Sequence, residues 1–68
     1  MKIEEAIVYV MVKRNGSMTT DQIADAINRH GLHLRKDGKP VSSAQVYAIV
    51  SRHPEMFIKE GGRILLMI

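Results

Sequence analysis

Apolar positions recur at helical spacing three times along the chain, and only near its end does the period shorten to that of strands. The first recurrence is Ile3, Ala6, Ile7, Val10 and Met11, a single stripe if Lys2 to about Arg14 is helical. The β-branched run Ile7 to Val12 also suits a strand, so the ends must decide. Glu4 and Glu5 favour a helix N-terminus, Lys13 and Arg14 a C-terminus, and Asn15-Gly16 supplies a stop. We therefore expect a helix. Val8, Tyr9 and Val12 fall off its main stripe as a second apolar edge, suited to a helix deep in a small core or to a self-association or partner surface.

Ser17-Met18 is long enough only for a bridging strand, and Thr19 followed by Gln22 forms a capping box. The helix so opened carries Ile23, Ala26, Ile27 and His30 on one face, with Asp21, Asp25, Asn28 and Arg29 outside. Gly31 fits the left-handed position after it, with Leu32 folding back on Ile27. Ala24 is small enough for a following helix to cross closely. The third recurrence, Val46, Ile49, Val50 and His53, lies within Val41 to Phe57. Ser42 and Gln45 read as another capping box, and Pro54 ends the helix, giving a span of 42–53. Its opposite face, Ala44, Tyr47, Ala48, Ser51 and Arg52, is small, polar and basic with one aromatic. Such a face suits close approach to nucleic acid, or is simply solvated.

Between these two helices, residues 31–41 exceed a tight helix-turn-helix turn, so the motif is an expanded one. Leu32 and Leu34 alternate with His33 and Arg35 as in an extended segment, and Asp37-Gly38 signals a turn. After Pro54, residues 56–59 and 63–68 flank Glu60-Gly61-Gly62, the pattern of a β-hairpin with Lys59 and Arg63 near its tip. The last five residues are all apolar, so the return strand is expected to be buried on both faces, its other edge paired to Met18. The order helix, short strand, helix, helix, strand, strand predicts an α+β winged helix-turn-helix: three helices plus a C-terminal β-hairpin wing.

The length of 68 residues implies a single domain that buries about 60% of its unfolded surface. It has no cysteines, which excludes disulfides and thiolate metal sites and suits a reducing cytoplasm. No signal peptide is expected, since Glu4 and Glu5 precede a short apolar run with no small-residue cleavage site after it, and no apolar stretch approaches the length of a membrane span. The net charge of +3 is unevenly placed. Residues 1–34 carry four basic and four acidic side chains, and residues 35–68 carry six and three. All the excess lies in the half with the 42–53 helix, which favours an anionic partner. Arg35, Lys36 and Lys39 concentrate it just before that helix.

Catalysis finds little support. His30 and His33 are spaced H-x-x-H and His53 is a third imidazole, but Gly31 breaks the helix between the first two and no carboxylate is focused on them. No nucleophile, base and acid share a signature, and Gly61-Gly62 precedes a strand rather than a phosphate-binding helix. The five methionines serve most simply as core filler. We expect no metal, no cofactor and no enzymatic activity.

The stretch RKDGKPVSSAQVYAIVSRHPEMF, with basic residues, Asp-Gly, Pro-Val, a Ser-Ala-Gln-Val helix start and Pro-x-x-Phe, resembles winged-helix modules of the HARE-HTH type. FIKEGGRILL is similar to the wing of that family, and the resemblance covers about Thr19 to Leu66. Such modules are attached to restriction endonucleases, chromatin proteins and the delta subunit of bacterial RNA polymerase. The resemblance implies a DNA-binding or DNA-directed adaptor without catalysis of its own, in transcription regulation among other settings. The chain departs from the family where Tyr47 and Ile49 replace arginines, and where Ile64 or Leu65 replaces an aromatic.

The resulting expectation is a duplex-DNA-binding module. The 42–53 helix would enter the major groove, with Tyr47, Ser51 and Arg52 reaching bases or sugars, Ser43 and Gln45 near the helix start, and Arg35, Lys36, Lys39, Lys59 and Arg63 on phosphates. Arg52 is the best candidate for a guanine. The rival expectation is a protein-interaction module, or a homodimer, docking through Val8, Tyr9 and Val12, with Tyr47 as a further contact.

Overall fold

In the computed structural model, which describes residues 1–67, the chain forms α1 (Ile3–Lys13), β1 (Ser17–Met18), α2 (Thr20–Arg29), α3 (Ser43–Arg52), β2 (Phe57–Glu60) and β3 (Arg63–Leu66). This is an α+β fold of three helices and a three-stranded antiparallel sheet of order β1-β3-β2, with β2 and β3 as a C-terminal hairpin. The whole predicted stripe of α1 is buried, so core packing overrides the strand preference of its β-branched run. The Glu5 carboxylate accepts the Lys2 N–H at 3.0 Å at one end. At the other, Asn15 (φ 62°) and Gly16 (φ 76°) reverse the chain into β1, and Gly16 donates to the Met11 carbonyl at 2.7 Å.

Both bonds of the Thr19 and Gln22 capping box form, each at 3.1 Å. The far end of α2 closes as a complete Schellman motif. Gly31 donates to the Asn28 carbonyl at 3.3 Å and Leu32 to that of Ile27 at 3.1 Å, while Leu32 packs on the core. The buried face is Ile23, Ala24 and Ile27, with Ala26 half-buried. His30 does not share that face. It is the C-cap, φ −99° and ψ 2°, and turns into solvent where the helix unwinds.

In α3, Val46 and Val50 are buried and Ile49 and His53 half-buried, as the third stripe predicts. Ser42 Oγ accepts the Gln45 N–H at 3.1 Å, but the reciprocal half of the capping box is missing. Gln45 Oε1 is buried and unpartnered instead. The expected extended segment after α2 joins no strand ladder, and Leu34 is 85% exposed. The turn forms where Asp37-Gly38 places it, closed by the Gly38 N–H to the Arg35 carbonyl at 3.1 Å.

The hairpin turns on two residues, Gly61 (φ 58°) and Gly62 (φ 80°), and Glu60 belongs to β2, facing Arg63, rather than to the loop. Two successive positive φ values give the twist that matches paired strands, which only glycine or asparagine adopts at low cost. Ser17 and Met18 pair with Leu65 and Ile64, as expected for the second edge of β3. Burial on both faces is corrected. Ile64 is buried, Leu65 and Leu66 are half-buried and Met67 is exposed; Ile68 lies outside the described residues. Helices cover one face of the sheet, while the other bears Ser17, Ile58, Glu60, Arg63 and Leu65 and is left open. Among the described residues, no helix is long and apolar enough to cross a membrane.

Candidate nucleic-acid interface

Anchored by Val46 and Val50, α3 presents Ala44, Tyr47, Ala48, Ser51 and Arg52 to solvent, with Tyr47 53% exposed. The hairpin adds a cation to this face. In the register of β2 with β3, Lys59 pairs with Ile64 and so points to the helical side of the sheet, next to α3. Its Nζ lies 3.0 Å from Ser51 Oγ, 3.4 Å from Tyr47 Oη and 4.5 Å from the Tyr47 ring centre. A cation over an aromatic face at this distance contributes about 0.5–1 kcal/mol at an exposed site. That is enough to position the ammonium and too little to prevent it moving to an anion.

Arg63 follows a different course. One position removed from Ile64, it points to the opposite face of the sheet from Lys59. Its Nε donates to Ser17 Oγ at 3.0 Å and its Nη2 to the Ser17 carbonyl at 3.4 Å. It borders the cleft between the hairpin tip, Thr20 and Tyr47, but its guanidinium is engaged by β1. The two hairpin cations expected to act together are thus divided by strand alternation.

The basic loop is held from within. Arg35 Nη2 bonds Asp37 Oδ2 at 2.8 Å and Nη1 donates to the Pro40 carbonyl at 3.4 Å, while the other Asp37 oxygen accepts the Lys39 N–H at 3.0 Å. Arg35 is therefore half-buried and partly neutralised. Lys36 and Lys39 are exposed, and neither ammonium has a hydrogen-bond partner among the described residues. Sequence reasoning missed what ties this loop to α2. Asn28 donates from Nδ2 to the Val41 carbonyl and accepts the Val41 N–H on Oδ1, both at 2.8 Å. An asparagine on a polar helical face carries no signal of this, since its partner lies 13 residues on.

Within α3, Ser43 and Gln45 are half-buried near its start and Arg52 is exposed in its last turn. Nine helical steps lead from Ser43 to Arg52, about 13.5 Å at the helical rise. The loop lysines thus lie toward one end of α3, Arg52 at the other, and Lys59 beside the middle. Tyr47 is the only aromatic among them.

The histidines do not converge. His30 is exposed, His33 Nδ1 donates to the Met1 carbonyl at 2.8 Å, and His53 Nδ1 lies 3.2 Å from Glu55 Oε1. A backbone hydrogen bond at Glu55, helped by the one to His53, holds the Glu55 carboxyl below its ordinary value. Among the described residues, no group of three or more His, Cys, Asp or Glu side chains comes together to hold a metal.

Comparison with known proteins finds no matching family model, no matching curated protein and no matching solved structure.

Proposed function

We propose that this chain is a non-enzymatic winged helix-turn-helix module of the HARE-HTH type that binds duplex DNA. The observation that carries the reading is the convergence of Lys59 on Tyr47 and Ser51, which places a hairpin cation on the small, polar, exposed face of α3. On this reading α3 enters the major groove, where Ala44 and Ala48 permit close backbone approach and Arg52 addresses a guanine edge. Lys36, Lys39 and Lys59 hold phosphates to either side, with Arg35 assisting from its bond to Asp37. Arg63 contributes less than the lysines because Ser17 holds it. A cytoplasmic role in transcription regulation belongs to the same proposal.

Four or five phosphate contacts imply a logarithmic salt slope of about −4 and weak binding by a single copy. A low-salt duplex titration followed by backbone amide shifts tests the reading. The largest shifts are expected at α3, residues 36–39 and Lys59; no response at α3 and the hairpin tip overturns it.

A further inference from the structure

Among the described residues, Gln45 Oε1 is the one buried side-chain polar atom without a hydrogen-bond partner. Its position does not require this. At the matching place in α2, the Gln22 side chain accepts the Thr19 N–H at 3.1 Å, whereas the Gln45 side chain does not return the Ser42 bond. An acceptor so placed gives up its bonds to water and gains none in return, so any state in which the amide finds a partner is favoured.

Helical register shows where that partner can lie. At 3.6 residues per turn, Ala44 and Ala48 centre the exposed face of α3, with Tyr47 and Ser51 along one edge and Gln45 and Arg52 along the other. Lys59 already occupies the first edge. The second borders the cleft that Gln45 shares with Arg35 and Lys36, two of the cations of the basic loop. An amide offers a donor and an acceptor in one plane, which matches N7 and N6 of adenine in the major groove. We infer, on the DNA-binding reading above, that Gln45 turns outward on binding and reads an adenine beside the guanine addressed by Arg52. Arg52 follows Gln45 by seven positions, two turns of helix. The two side chains therefore stand about 10.5 Å apart along α3, a reach of at most about three base-pair steps. The preferred duplex carries its adenine and guanine within that spacing.

Gln45→Met keeps the length of the side chain and removes its polar atoms. In thermal unfolding of the free chain its midpoint should not fall, because no hydrogen bond is lost. In selection from a randomised duplex pool at low salt, the parent chain should enrich adenine and guanine within about three base pairs of each other. Gln45→Met should lose the adenine preference by about tenfold and keep the guanine, and Arg52→Ala should do the reverse. A lower midpoint for Gln45→Met reveals a structural bond and overturns the inference. An adenine preference that survives the substitution, or a parent chain that binds duplexes without preference, overturns it and leaves DNA binding standing. A parent chain that binds no duplex overturns DNA binding itself, and the inference with it.

Discussion

Asn28 and Val41 exchange two hydrogen bonds of 2.8 Å across the loop between α2 and α3, so that an amide side chain plays the part of a paired strand. The clamp is part-buried and holds the residue that precedes the α3 cap, Ser42. Asn28→Ala leaves the N–H and the carbonyl of Val41 without their partner at a part-buried position. The expected loss is about 1–3 kcal/mol in chemical denaturation, with faster amide exchange at Val41. Asn28→Asp keeps the acceptor and loses the donor, so its stability should fall between those of the parent chain and Asn28→Ala.

Strand alternation makes the two hairpin cations unequal. Lys59→Gln should weaken duplex binding and reduce the salt slope by about 1, as expected for one phosphate contact. Arg63→Gln should weaken binding less. Equal losses for the two variants would show that Arg63 leaves Ser17 to join the DNA.

At the ends of α3, Arg52→Ala and Lys36→Ala probe base and phosphate contact separately. Arg52→Ala should relax preference at one base pair by about 1–3 kcal/mol across a set of duplexes. Lys36→Ala should weaken all duplexes alike. Unchanged affinity in both sinks the contact assignment.

The hairpin turn constrains sequence through φ. Gly61→Asn should be tolerated, since asparagine adopts the left-handed region, whereas Gly62→Val should destabilise by more than about 1 kcal/mol. Thermal unfolding of the two variants distinguishes the outcomes.

Glu55 supplies a weak acid dependence. Its carboxyl is lowered in the folded chain, so its contribution is present above the ordinary value of 4.5 and is lost as pH falls through the folded value. The Glu55→Gln variant should show a flatter stability profile below pH 4.5 than the parent chain. Identical profiles would remove Glu55 from the acid response.

Much of the fold is legible locally. The stripe of α1, the Thr19 and Gln22 box, the Gly31 ending of α2 and the Gly61-Gly62 turn each depend on residues within a few positions of one another. Periodicity and capping report such relations because backbone hydrogen bonds of helices and tight turns are themselves short-range. The exposed face of α3 follows directly from them, and so does the apolar edge of α1. Where local signals misled, a longer-range demand intervened. The apolar tail of β3 meets helices on one face of the sheet alone, and Gln45 leaves its capping role half filled.

Which cations work together was decided by the tertiary structure. Lys59 reaches Ser51 and Tyr47, Arg63 reaches Ser17, and Asn28 holds Val41, over separations of 8, 12, 46 and 13 residues. None of these pairings has a local signature, because each depends on where packing and strand register deliver a side chain. The sequence by itself determined the helices, the turns and the polar face of α3; only the folded chain decided that Lys59 lies on that face and that Arg63 is turned away from it.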